Sequence, residues 1–127
     1  MRILRENASE VLERFYLFQD GVVSAVSLQL RAEPRRCEVV VQAQDRDSAS
    51  GWSTVRFVVQ SVSECRFQLG NSTFEVLSGG IQLGWVGDSI CVVFDAYPDD
   101  GPQLPVLKTN TAYVMGHTCD IEISPLP

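Results

Sequence analysis

The chain is poor in the residues that carry acid–base and metal chemistry. It has a single histidine, His117, in 127 residues. Its four cysteines, Cys37, Cys65, Cys91 and Cys119, stand far apart. Without a C-x-x-C pair, a zinc ribbon and a thioredoxin-type redox motif are excluded. No Gly-rich loop leads into a helix to cradle a phosphate, and no G-x-S-x-G presents a nucleophilic serine. No apolar run reaches the roughly 18 residues that a membrane-spanning helix needs. Positive charge is scarce as well: ten Lys and Arg stand against sixteen Asp and Glu, for a net charge of −6. A protein that grips nucleic acid through its phosphates needs a basic face, so that class is set aside.

The remaining constellations are equally thin. His117 and Cys119 would share one face of a strand. Neighbours at i and i+2 are about 6.5 to 7 Å apart along it, too far for a nucleophile and its base. Asp95 with Asp99 or Asp100, and Asp120 with Glu122, are carboxylate pairs of the kind any acidic surface supplies. The stretch DRDSASG at 45–51 starts like a calcium loop, but positions 5, 6 and 12 of that pattern hold Ala49, Ser50 and Arg56. These readings predict no catalytic residue, no metal and no cofactor. Each cysteine falls in an apolar stretch, where a free thiol serves as a small buried hydrophobe.

What is present is β structure. Residues 81–94, IQLGWVGDSICVVF, form the most legible element, a tight hairpin with Gly87-Asp88 as its two-residue loop. That loop pairs Val86 with Ser89, Trp85 with Ile90, Leu83 with Val92 and Ile81 with Phe94, placing six large apolar side chains on one face. A slip of one residue would scatter them, so the pattern fixes the register.

Upstream, residues 7–16 read as a short helix. Asn7 is an N-cap candidate with Glu10 three residues on, as in a capping box. Ala8, Val11, Leu12 and Phe15 make an apolar stripe, with Glu6, Glu10, Glu13 and Arg14 on the other face. Strands follow at 22–30, with Val22, Val26, Leu28 and Leu30 on one face, and at 37–44. The polar loop 45–51 reads as a mobile connection. Residues 52–69 form either one strand with a bulge near 60–63 or two strands joined by a bend. A turn at 70–72 leads to a short strand at 73–77 and a Ser78-Gly79-Gly80 break. The Pro- and Asp-rich loop at 97–105 precedes a last strand at 112–123, with Tyr113, Met115, His117, Cys119, Ile121 and Ile123 on one face. The whole predicts one domain, 1–127, mainly β (β-rich α+β). It has an antiparallel sheet of about seven strands, as a meander, half-barrel or sandwich, with a short N-terminal helix. The N-terminal MRILRENASEVLERF is charged throughout and lacks the apolar core of a secretory signal, so the expected location is cytoplasmic.

Phe18-Gln19-Asp20-Gly21 and the strand after it resemble the opening of small bacterial domains that begin with a Phe-His-Asp segment and form a β-meander. Thr54-Val55-Arg56-Phe57 and the strands at 90–95 and 112–123 are similar to the same pattern, with Gln19 in place of the histidine. Some of those domains are immunity proteins of polymorphic toxin systems, and others are uncharacterised. The resemblance implies a protein that binds and blocks a cognate toxin, and it brings no catalytic residues.

The expected function is therefore a non-enzymatic protein-binding module. Its candidate contact residues are Asp45, Asp47, Asp99 and Asp100, facing a basic partner such as a toxin domain, with no role for nucleic acid or membrane. The alternative is a small-ligand-binding β domain with an apolar cavity lined by Trp85, Phe57 and Tyr113. A third reading is self-association through an uncovered sheet face or edge, giving a homodimer.

Overall fold

The structure, a computed structural model, describes residues 1–67, 75–94 and 112–127. The expected turn at 70–72, part of the strand at 73–77, and the loop at 97–105 with Asp99 and Asp100 lie outside the described residues. The fold is mainly β. Among the described residues, one short helix, α1 (Ala8–Arg14), precedes nine strands: β1 (Gly21–Gln29), β2 (Arg36–Gln44), β3 (Trp52–Gln60), β4 (Glu64–Arg66), β5 (Glu75–Leu77), β6 (Ile81–Val86), β7 (Ser89–Phe94), β8 (Ala112–Gly116) and β9 (Thr118–Pro125). They form two antiparallel sheets, ordered β5-β1-β2-β3-β9 and β4-β8-β7-β6.

The β6–β7 hairpin has the register its sequence demands. Ile81 pairs with Phe94, Leu83 with Val92, Trp85 with Ile90 and Val86 with Ser89. Gly87 takes the positive φ of 59° that its loop requires. Ile81, Ile90, Val92 and Phe94 are buried in the main core, with Leu83 and Trp85 packed at its edge. The opposite face is covered too, with Cys91, Val93 and Met115 forming a second small buried cluster.

The difference between seven expected strands and nine observed ones lies at one corner. Within the long stretch 52–69, the described residues form two strands joined by a bend, with Ser61 at a positive φ of 55°. The stretch 112–123 breaks at His117 in the same place. β3 pairs with β9 in the first sheet, and β4 pairs with β8 in the second. Both partners of a single ladder thus change sheets together, as strands do at the corners of packed sheets. Hydrogen bonds from the His117 amide to the Gln60 carbonyl (2.9 Å) and from the Ser63 amide to the Met115 carbonyl (2.9 Å) carry pairing around the turn. The six-residue face expected for 112–123 is therefore divided. Tyr113 and Met115 lie on the outer face of the second sheet, Cys119 and Ile121 are in the main core, and His117 is exposed at the corner.

β1 departs from expectation for a related reason. A bulge between Val23 and Ala25 shifts its register against β2. The extra residue moves Val26 and Leu28 to the face opposite Val22. Val23 packs on the core, whereas Val26 and Leu28 lie opposite buried Val39 and Cys37 but are themselves exposed.

α1 buries Ala8 and Val11 and delivers Phe15 to the core. Its expected capping box does not form. Asn7 turns its side chain to the preceding arm, accepting from the Leu4 amide (2.7 Å) and donating to the Arg2 carbonyl (2.8 Å). That arm lies along β9, with the Ile3 amide donating to Cys119 and the Ile121 amide to Met1 (both 2.8 Å). Phe15, Phe18, Phe57 and Phe94 then form a chain of ring contacts from the helix through the core to the second sheet, with centroids 4.8, 5.3 and 5.9 Å apart. All four cysteines are free. Burial pushes the Cys37 and Cys91 thiols up to about 11 and Cys119 to about 12, so these three are inert hydrophobes.

The corner has one test. A Cβ added to Gly116 would lie 2.6 Å from a Val59 methyl and 2.7 Å from the Gln60 carbonyl oxygen, which belongs to the ladder and cannot yield. Gly116→Ala should cost about 1–3 kcal/mol, the usual range for overpacking, measured as a lower urea midpoint; an unchanged midpoint would show that the corner has room.

Candidate functional site

Loop 45–51, expected as a mobile connection, is tied down by hydrogen bonds. Its root is Asp45, which is 1 % exposed. The Arg14 side chain, from the end of α1, donates Nε to Oδ1 (2.9 Å) and Nη2 to Oδ2 (3.1 Å) of Asp45. The Asp47 amide adds a 2.9 Å bond to Oδ1, and buried Ser53 donates its hydroxyl to Oδ2. The loop backbone closes on itself through Asp45 N to Gly51 O (2.8 Å) and Gly51 N to Ser48 O (3.0 Å). Ser48 donates to the Trp52 carbonyl (2.9 Å) and Ser50 to the Leu126 carbonyl (2.6 Å), which ties the loop to the chain's last residues. Arg14 hydrogen bonds lower the Asp45 carboxyl most, to about 2. Burial pulls the other way, while the Ser53 hydroxyl and the Asp47 amide assist Arg14.

A second local feature faces this loop. Tyr16, Leu17 and Phe18 make one 3-10-type turn in which all three residues have positive φ, at 52°, 59° and 57°. Side chains strain this left-handed conformation by roughly 1–2 kcal/mol per residue. The turn persists because Phe18 is fully buried against Phe15 and Phe57. Gly80 helps to hold it: a Cβ there would lie 2.2 Å from the Leu17 carbonyl oxygen. The result turns Tyr16 and Leu17 outward, 51 % and 46 % exposed. Tyr16, Arg46, Ser48 and Trp52 line a concave surface of about 420 Å³ over the loop. Trp52 is 40 % exposed.

The acidic candidates separate here. Asp45 is turned inward and fully engaged, so its carboxylate anchors the loop and is not offered to a partner. Asp47 is exposed, near Arg14 (3.5 Å) and Arg46 (3.7 Å). Additional acid is available on α1, where Glu10 and Glu13 are exposed, with Glu6 just before it. None of the three is in an ion pair among the described residues. Sequence reasoning overlooked Tyr16 and Trp52 as site residues. Trp52 carried a signal, an aromatic immediately after a polar loop, but the outward turn of Tyr16 depends on the left-handed backbone.

The three residues expected to line an apolar cavity do not meet. Phe57 is packed solid in the core, Trp85 is at its rim, and Tyr113 is on the outer face of the second sheet, donating to Glu64 (3.0 Å). A smaller surface cavity of about 280 Å³ lies between the N-terminal arm and the β6–β7 turn, with Arg5, Trp85 and His117 in its wall. Arg5 is already engaged there, its guanidinium 5.3 Å from the Trp85 ring centre and donating to the Gly87 carbonyl (2.8 Å). His117 is exposed while Cys119 is fully buried, so the two do not form a nucleophile pair. Among the described residues no three His, Cys, Asp or Glu side chains gather as a metal-ligand set, and no helix is long and apolar enough to cross a membrane. No family model, curated protein or solved structure matches this chain.

The Asp45 anchor predicts a pH signature. Its folded pKa lies below the ordinary aspartate value of about 3.9, so its stabilisation is complete well above that value and is lost as pH falls through the folded one. At neutral pH, Asp45→Asn should lose about 2 kcal/mol of unfolding free energy relative to wild type, and the gap should close as pH falls from about 4 to about 2. Denaturant titrations across that window measure it; a gap independent of pH would mean that the carboxylate charge is not what holds the loop.

Proposed function

We propose that this chain is a non-enzymatic, cytoplasmic protein-binding module, an immunity-type inhibitor whose partner is a basic protein domain such as a bacterial toxin. The observation that carries this reading is the pairing of Tyr16 and Trp52. They are large, half-exposed aromatics lining one concave surface, Tyr16 on the left-handed turn and Trp52 at the start of β3, on either side of the loop that Asp45 anchors. Aromatic side chains fixed in advance of binding are the residues that dominate protein interfaces, because they bury much area with little loss of freedom. Strain retained at an exposed turn is a further support, since such conformations gather where a surface is used. The acid of Glu10, Glu13 and Asp47 gives the partner its sign. Exposed charges of this kind act chiefly on the rate of encounter.

Two sets of variants test the reading, after capture of the partner from host lysate on the tagged chain. Trp52→Ala and Tyr16→Ala should each weaken the complex by about 2 kcal/mol, the scale of an interface hot spot. Their unfolding midpoints should stay near wild type. The triple variant Glu10→Gln, Glu13→Gln and Asp47→Asn should slow association and flatten its salt dependence. Full affinity in both aromatic variants would place the contact elsewhere on the molecule.

A further inference from the structure

The N-terminal arm and the β6–β7 turn bring together ionic groups that are far apart in the chain. The arm is pinned along β9 by the Ile3 amide on the Cys119 carbonyl, and Asn7 closes its next turn by accepting from the Leu4 amide. Arg5 and Glu6 lie between these two ties. They line the cavity of about 280 Å³ together with Asp88 of the β6–β7 turn and His117 of the corner. Buried Ile3 and Ile90 and half-buried Trp85 give the cavity its apolar wall. None of these residues lines the surface over loop 45–51.

Arg5 is positioned before any ligand arrives. Its guanidinium lies 5.3 Å from the Trp85 ring centre and donates to the Gly87 carbonyl (2.8 Å). Much of the side-chain freedom that a surface arginine loses on binding is therefore already gone. The Gly87 bond occupies one N–H group, and the others have no partner among the described residues. The His117 amide is fixed on the Gln60 carbonyl, while its exposed ring makes no hydrogen bond among the described residues. Two donor groups thus share one cavity, and a carboxylate is the acceptor that matches a guanidinium fork.

Charge decides what else the ligand carries. Arg5, Glu6 and Asp88 are exposed and in no ion pair among the described residues. Arg2 also lines the cavity, but Asp120 meets its charge through two 3.1 Å hydrogen bonds. One positive group therefore stands unmet against two negative ones. A simple anion would reach Arg5 but also face two carboxylates. A simple cation or a metal ion would sit beside Arg5, and no three metal-ligand side chains gather among the described residues. A zwitterion answers both signs. The volume is just below the roughly 300 Å³ at which sites for drug-sized ligands begin, so it suits a single small metabolite. We propose that this cavity binds a free α-amino acid with an apolar side chain. Arg5 and His117 take its carboxylate, Glu6 and Asp88 its ammonium group, and Ile3, Ile90 and Trp85 its side chain.

The test is a titration of the full chain with L-leucine, followed by proton NMR. The chain has one histidine and two tryptophans. The His117 ring and Trp85 indole signals report the cavity, and the Trp52 indole reports the loop surface. Millimolar L-leucine should move His117 and Trp85 and leave Trp52 in place. Isocaproate and isoamylamine keep the leucine side chain with one charge each. Both should bind at least about tenfold more weakly, the scale of a lost charge-assisted hydrogen bond. The double variant Glu6→Gln, Asp88→Asn should weaken leucine by a similar factor and bind isocaproate more tightly than wild type does, a gain that loss of structure could not produce. Unmoved His117 and Trp85 signals, shifts confined to Trp52, equal affinity for the three probes, or a double variant that binds leucine as wild type does would each overturn the proposal.

Discussion

The fold depends on one corner. β3 leaves the first sheet at Gln60, and β9 enters it at Thr118, so the strand pair that ends one sheet begins the other. Backbone polar groups at such a turn cannot be left dry, and here they are not: the His117 amide finds Gln60, and the Ser63 amide finds Met115. Gly116 makes the approach feasible, since any side chain there would meet β3. Once the corner is closed, the second sheet must fold over the first. Phe57, near its middle, then lies between Phe18 below α1 and Phe94 on β7, and the two sheets share one core.

The concave surface beside loop 45–51 follows from the same packing. Phe15 and Phe18 anchor in that core from consecutive turns of opposite hand, α1 and the left-handed turn after it. Holding both rings inward forces Tyr16 and Leu17 out. Arg14, one residue before, reaches the Asp45 carboxylate and stacks 5.0 Å from the Phe15 ring centre, linking the helix end to the loop. A buried carboxylate with four hydrogen bonds is costly to desolvate and valuable only when its geometry is complete. Here that completeness turns a Ser-rich loop into a rigid platform for Trp52. The result is a concave surface over loop 45–51, with Tyr16 and Trp52 in its wall.

The sequence by itself determined the β6–β7 hairpin to the residue. Alternation with period two and a Gly-Asp loop leave a single register that keeps six apolar side chains together. It likewise determined that the fold is mainly β with a short helix, and that the cysteines sit in apolar surroundings. All of these are local patterns read over a few residues. Tertiary structure decided what local pattern cannot hold. At 112–123 an unbroken alternation conceals a change of sheet at His117, because the cause is the path of β3 pressing on Gly116. In β1 the bulge at Ser24 reverses which valines face inward. Asp45 and Asp47 look alike in sequence, two acids in one polar loop. Only the approach of Arg14 from thirty-one residues away makes the first a buried anchor and leaves the second in water. The outward pose of Tyr16 has the same origin, since its strained backbone is held by distant packing.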